Sequence, residues 1–422
     1  MRTARLRARV ATALAHSSNT ERHKERMSLC KSLRKRCVLL ALLCSIALLS
    51  NSAPAQTAPP AVKARAWGLM DSSSNQILAS QDAEARMEPA SLTKIMTAYL
   101  VFQALQDNKI RMDETVLPSD AVRSVGKDES RMFIEANKPV SVHDLLYGLI
   151  VESGYDAAIA LAEIVGGTQS HFVDMMNAQA QALGMSHTHF ADVNGMPEPN
   201  HYTTTGDLAI LAMRLIHDFP QDYPIFSVRT FTYDNIRQLN RNRLLWLDPT
   251  VDGLKTGHTD AAGYCLIASA LRPVPGAPGM TRRVISVVMG DPTGSDRVRD
   301  SLKMLDFAYD AFEEVAFYKT GQAVKTSRLY EGKALSVRVG VAKDLMLTVP
   351  AGQDRGVKPK VSIVSPLVAP LAMDQKVGNV ELVSTDGRVL AQAPLVALDA
   401  VPQAGLLARA WDFMLLHLNR PG

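Results

Sequence analysis

Cysteine is scarce in this chain: 4 in 422 residues, and three of them, Cys30, Cys37 and Cys44, fall in a basic and apolar leader region. Cys265 stands alone in the body, so no disulfide framework can form within a mature chain and no metal knuckle can be built from thiols. It is expected as a small buried hydrophobe in a strand. Metal-ligand spacing is missing too. His187-Thr188-His189 resembles a metal pair, but no carboxylate or further His stands at familiar spacing, and exposed loop histidines are the simpler reading. No metal and no cofactor is therefore expected. The body also lacks an excess of positive charge. The formal net charge of +4 arises because residues 1–55 hold 11 of the 46 basic residues and only 2 of the 42 acidic ones, which leaves 35 basic and 40 acidic groups, a net of −5, in the remainder. That balance excludes a nucleic-acid footprint, so no nucleic acid is expected as a partner. A membrane-spanning run is absent as well, the longest apolar stretch, Val38–Leu49, being short for a bilayer.

What is present begins with an address. Lys31, Arg34, Lys35 and Arg36 precede that apolar stretch, and Ala53-Pro54-Ala55 follows with small residues at alternate positions, the pattern of a secretory signal peptide cleaved after Ala55. Residues 1–55 are read as leader, with Met27 the expected start, and 56–63 as a Pro/Ala linker. Length favours two folded domains thereafter. Ala66–Met70 and Gln76–Ser80 read as strands around the turn 71–75, and Ser91–Gln106 as a buried helix beginning at Ser91. Val142–Val151, Asp156–Val165, Ser170–Leu183 and Asp207–His217 read as helices, Tyr264–Leu271 and Val284–Met289 as strands, Asp291–Gly294 as a turn, and Ser295–Phe312 as a long helix. Strands at both ends of a helical middle imply a sheet whose first and last segments meet, an α+β sandwich over residues 64–317. From about Tyr318 short Val-rich alternating segments, among them Leu335–Val339, Leu345–Val349, Val361–Val364 and Val377–Val383, predict a small all-β domain over 318–400 acting as a spacer. Residues 401–422 end the chain with Leu407, Trp411, Met414, Leu415 and Leu418 at helical spacing and charges on other faces, an amphipathic helix able to lie on a membrane surface or to dock on its own domain.

Amide hydrolysis through a serine needs a hydroxyl, a base for its proton and donors for the developing oxyanion. Ser91-Leu92-Thr93-Lys94 places a hydroxyl and an amine three apart on one helix face, with Ser91 in the first turn, where the helix dipole favours negative charge. Lys94 can act as a base only if desolvation or a second cation lowers its pKa. The spacing alone is common by chance. Two further pieces support it: Lys255-Thr256-Gly257 stands after Val251-Asp252-Gly253 and before an apolar strand, where a glycine admits close approach to a sheet edge, and Ser153-Gly154-Tyr155 opens a helix between the two.

S-x-x-K, an S-x-N-like element and K-T-G in that order mark penicillin-binding proteins and class A β-lactamases. Pro89-Ala90-Ser91-Leu92-Thr93-Lys94, Asn240-Arg241-Asn242 and the run from Val251 to Thr259 resemble the low-molecular-mass D-alanyl-D-alanine carboxypeptidases similar to penicillin-binding proteins 5 and 6, over nearly the whole mature chain. The resemblance implies that Ser91 is the acylated nucleophile and Lys94 its base, with Ser153 and Lys255 completing the proton path. It implies an oxyanion hole from the backbone amides of Ser91 and His258, and Thr256 and Arg241 as receivers of the substrate's terminal carboxylate, a task suited to the planar guanidinium. Peptidoglycan stem peptides and β-lactam antibiotics are the implied ligands, and the periplasmic face of the inner membrane, held peripherally by the last helix, the implied location.

The departure is Tyr155, which stands where the family has Asn; a phenol offers one donor and a weak acceptor, an amide two donors and an acceptor. Contacts to the substrate amide and to Lys94 are expected to differ, and a weakened or merely penicillin-binding protein is one alternative. A β-lactamase is another. It would need a deacylating Glu with a neighbouring Asn on a loop before K-T-G, and Glu198-Pro199-Asn200 has the wrong spacing for that.

Overall fold

The computed structural model describes residues 58–126, 129–274, 280–352, 356–385 and 387–418. The expected leader, its cleavage point and the start at Met27 lie outside the described residues. Strands β1 (Ala66–Asp71) and β2 (Gln76–Gln81) form the expected hairpin. A tight 3₁₀ turn over Ala90–Thr93 then leads into α1 (Lys94–Gln106). Ser91 thus precedes the α-helix proper, since the entering chain tightens to i→i+3 bonding, as helix N-termini often do. Helix α1 is buried on nearly every side, with Ile95, Met96 and Phe102 sealed from solvent, so it is the axis of the helical region.

A two-residue ladder joins β3 (Thr115–Val116) to β4 (Val140–Ser141). Helix α2 (Val142–Tyr147) starts on the Ser141 cap, whose Oγ accepts from the Asp144 amide, and widens into a π turn over Gly148–Glu152. Helices α3 (Tyr155–Gly166), α4 (Gln169–Leu183) and α5 (Thr205–Asp218) follow, the last two capped by Thr168 and Thr204. The hairpin β5 (Thr230–Tyr233) and β6 (Ile236–Leu239) and the one-turn helix α6 (Leu244–Leu247) lead to three long strands, β7 (Val251–Thr259), β8 (Gly263–Pro273) and β9 (Thr281–Asp291).

The main sheet is antiparallel in the order β2-β1-β9-β8-β7, so the first and last strands of the domain do meet. Its two faces bury different sets of side chains, as a period of two dictates: Ile285, Val287 and Met289 of β9 enter the helical core, while Val284 and Val288 pack under α7 (Gly294–Ala311) with Val298, Met304 and Leu305. Asp291 was expected in a turn but is the buried last residue of β9, because the helix start falls to Thr293, whose hydroxyl caps Asp296. The K-T-G residues lie inside β7, the edge strand of this sheet, and are buried there.

The C-terminal part is all β. It comprises β10 (Phe312–Tyr318), β11 (Ala323–Tyr330), β12 (Ser336–Val341), β13 (Leu345–Pro350), β14 (Lys358–Ile363), β15 (Leu367–Val368), β16 (Lys376–Val383) and β17 (Val389–Ala397). Six form one sheet, β14-β16-β17-β12-β11-β15, and β10 pairs with β13. Phe312, expected to end the long helix, opens β10. The two domains are stitched by Arg282, which meets buried Asp71 at 2.7 Å and the Phe312 carbonyl at 2.8 Å, and by Thr348, whose amide donates to Gln76 Oε1 at 2.6 Å. Helix α8 (Leu406–Leu418) follows the β domain. Its polar side is tied down: Asp412 accepts from the Glu331 amide at 2.6 Å, and Arg409 pairs with Glu331 at 3.4 Å. Leu406, Leu407 and Trp411 face outward and are exposed. No helix among the described residues is long and apolar enough to cross a membrane.

Candidate active site

Three elements that are distant in sequence converge on one cavity of about 700 Å³. The turn before α1 supplies Ser91, the start of α3 supplies Ser153 and Tyr155, and β7 supplies Thr256, Gly257 and His258, with Arg241 at the rim. Lys94 and Lys255 are not on the surface of the cavity but buried just behind it, each no more than 3% exposed. All nine residues singled out in the sequence therefore belong to one neighbourhood. The close fit of β7 against the Ser91 turn depends on Gly257, where a Cβ would lie 3.1 Å from the Ala90 Cβ and 3.2 Å from the Ser91 nitrogen.

Lys94 Nζ donates to Ser91 Oγ at 3.1 Å and to the Asn194 carbonyl at 2.8 Å. Burial brings its pKa down to about 7; Asp192 partly opposes that shift, and Arg241 reinforces it. An amine poised there is neutral for much of the time near neutral pH and can take a proton from Ser91. The carbonyl it leans on is fixed from below. Asp192 accepts from the amides of Asn194 at 2.7 Å, Gly195 at 2.5 Å and Met196 at 2.9 Å, and Gly195 holds φ +92° with no room for a Cβ against the Ala90 carbonyl. This loop was not singled out in the sequence, although Asp192-Val193-Asn194-Gly195 has the composition of a side-chain-braced turn.

Lys255 donates to the Thr256 carbonyl at 3.1 Å, and burial, followed by the nearby charges of Lys94, Arg241 and Arg297, drives its pKa well below the ordinary lysine range. Ser153 stands at φ +67° between the π turn and α3, and its buried Oγ has no protein partner. Ser153 lines the same cavity as Ser91, and Lys255 lies buried behind it. Tyr155 opens α3 with its ring buried and 3.6 Å from Lys94 Nζ, measured to the centroid. Burial raises its pKa, and a polar interaction with the Ser91 side chain partly offsets this, so the phenol stays protonated.

At the cationic end, Arg241 reaches the cavity while its Nη2 contacts Glu152 Oε1 at 2.5 Å and its Nε donates to the Glu152 carbonyl at 3.1 Å. A second guanidinium was missed in the sequence. Arg297 of α7 donates to the Gly257 carbonyl at 3.0 Å, lines the cavity, and keeps a buried Nε without a partner. Nothing in Ser295-Asp296-Arg297-Val298-Arg299 separates this residue from the exposed Arg299; only the fold turns it under β7. The His258 ring stacks on Tyr264 at 3.9 Å, and both residues line the cavity. From the segment after Asn194, Met196 and Pro197 form the cavity wall, and Glu198 does not.

The comparisons with known proteins agree with this geometry. Residues 53–293 match the family model described as D-alanyl-D-alanine carboxypeptidase, and residues 312–403 match that of the penicillin-binding protein 5 C-terminal domain. The D-alanyl-D-alanine carboxypeptidase DacC of Escherichia coli is 39% identical over 86% of this chain and 90% of its own, and DacA of Haemophilus influenzae is 38% identical over 91% and 98%. The crystal structure of penicillin-binding protein 5 from Haemophilus influenzae superposes with a TM-score of 0.73 at 39% identity, covering 82% of this chain and all of that one. Penicillin-binding protein D2 of Listeria monocytogenes, solved in an ampicillin-bound form, aligns with 59% of this chain at 32% identity and a TM-score of 0.52. The chain therefore belongs to the D-alanyl-D-alanine carboxypeptidase family of serine peptidases.

Proposed function

We propose that this protein removes the terminal D-alanine from peptidoglycan stem peptides ending in D-Ala-D-Ala through an acyl-enzyme on Ser91. The observation that carries this reading is Lys94, desolvated to a pKa of about 7 and 3.1 Å from Ser91 Oγ. Neutral Lys94 accepts the Ser91 proton as Oγ attacks the carbonyl carbon of the penultimate D-alanine. The oxyanion forms against the amides of Ser91 and His258, and Arg241, Arg297 and Thr256 receive the terminal carboxylate. When the C–N bond breaks, the departing D-alanine nitrogen takes the proton from Lys94 by way of Ser153. Water then attacks the Ser91 ester, giving its proton back through Lys94, and the shortened peptide leaves as a carboxylate.

A β-lactam offers a strained amide and a carboxylate at the corresponding distance, so penicillins are proposed to acylate the same serine. The ampicillin-bound Listeria relative supports this. Export and attachment to the outer surface of the inner membrane are proposed from the leader and from α8, whose polar side is occupied by Glu331 while Leu406, Leu407 and Trp411 face out. The β domain would then act as the spacer. The direct test is incubation with a pentapeptide ending in D-Ala-D-Ala: one equivalent of free D-alanine per peptide is expected, and an intact pentapeptide, or cleavage elsewhere, would overturn the assignment.

A further inference from the structure

We propose that Tyr155 is a positioning residue for the proton-transfer step, its ring face holding the Lys94 ammonium in the place where the family motif carries an amide. This rests on the reading of Ser91 and Lys94 as nucleophile and base. Once Lys94 has taken the Ser91 proton it carries three N–H groups. Two find oxygen, at Ser91 Oγ and at the Asn194 carbonyl; the third direction is closed by the Tyr155 ring at 3.6 Å. A π face accepts a cation electrostatically, and most effectively where water is excluded, as it is around this buried amine.

The backbone that carries the ring is anchored on both sides of Tyr155. The Tyr155 amide donates to the Ser130 carbonyl at 2.9 Å, and the next residue, Asp156, accepts from the amides of Met132, Phe133 and Ile134 between 2.9 and 3.1 Å. Other charges face Lys94 from every side: Asp192 from the loop under Asn194, Arg241 after β6, Glu129 from the loop before Ser130, Asp156 on α3, and Lys255 on β7. None of these makes a hydrogen bond to Nζ, so beside the Ser91 and Asn194 oxygens the ring is the group in direct contact that favours the charged state. The Tyr155 hydroxyl, which interacts with the Ser91 side chain, is secondary to this role.

The test varies the ring's electrostatics at constant shape. Tyr155→Phe and a series with mono-, di- and trifluorinated phenylalanine at position 155 would be compared for the rate of Ser91 acylation by a penicillin as a function of pH, with the adduct site checked by mass spectrometry in each. A weaker π face destabilises the ammonium, lowers the Lys94 pKa and moves the acid limb of the profile to lower pH. Tyr155→Phe should keep the limb near its original position, and fluorination should shift it stepwise, by about one pH unit in total. A limb that does not respond to fluorination would overturn the role of the ring. An adduct absent from Ser91 in the unmodified protein would instead overturn the nucleophile assignment beneath it.

Discussion

In the proposed mechanism Lys94 serves as a base only because it is dry. With its pKa brought to about 7, the fraction of neutral amine, and with it the rate of acylation, should climb as pH rises through 7 and level off above it. Stopped-flow labelling with a chromogenic cephalosporin between pH 5 and 9 measures this, and a flat profile would contradict it. Lys94→Arg leaves a cation that cannot lose its proton, so acylation should fall by about a hundredfold to ten-thousandfold. At this scale the sequence was legible where spacing along one turn does the placing: Ser91 and Lys94, three apart, share one face. Lys255-Thr256-Gly257 was read as standing before a strand and instead lies within one, β7. Arg297 and the Asn194 carbonyl were not legible, since the pattern of α7 carries no trace of the first reaching the cavity, and the second is a backbone atom that only the packing of its turn brings to Lys94.

The elements hold these groups through a few backbone clamps. Asp156 at the start of α3 accepts four amide hydrogen bonds, from Met132, Phe133, Ile134 and Ala157, between 2.9 and 3.1 Å. Replacing it by Ala leaves buried amides without acceptors, and a loss on the order of 3 kcal/mol in urea unfolding is expected. A change under about 1 kcal/mol would show that the loop re-pairs with water. Gly257→Ala is expected to act differently. Its new methyl would press on Ala90 and on the Ser91 amide at 3.1–3.2 Å, widening the gap between β7 and the nucleophile turn, so acylation should slow markedly while the melting temperature moves little. Helices and strands were well placed by periodicity here, because the core is apolar and regular. The expected helix start at Ser91 missed the 3₁₀ turn, and Phe312 was assigned to the helix before it, since charges in Glu313-Glu314 hide the strand that follows.

On the scale of the whole molecule, the catalytic sheet, the β domain and α8 are joined by few polar bridges, with Arg282 and Thr348 at one junction and Glu331 at the other. Removing residues from Leu406 onward should release the protein from membrane fractions with its peptidase rate unchanged, because no residue of α8 lines the cavity. Sedimentation with membranes after truncation would place the attachment elsewhere. The sandwich of a sheet with a helical region was legible in the order of segments. In the β domain the four segments read from the sequence overlap β12, β13, β14 and β16, whereas β10 and β17, which lack clean alternation, were not picked out, being half-buried strands whose partners decide which side is covered.

The central claim is that Ser91 is the residue acylated. Its most direct measurement is brief incubation with benzylpenicillin, quenching in acid, and peptide mapping by mass spectrometry of the native chain and of Ser91→Ala. One penicilloyl group on Ser91 is expected, and none in the variant. An adduct on Ser153, or equal labelling of the two proteins, would contradict the claim.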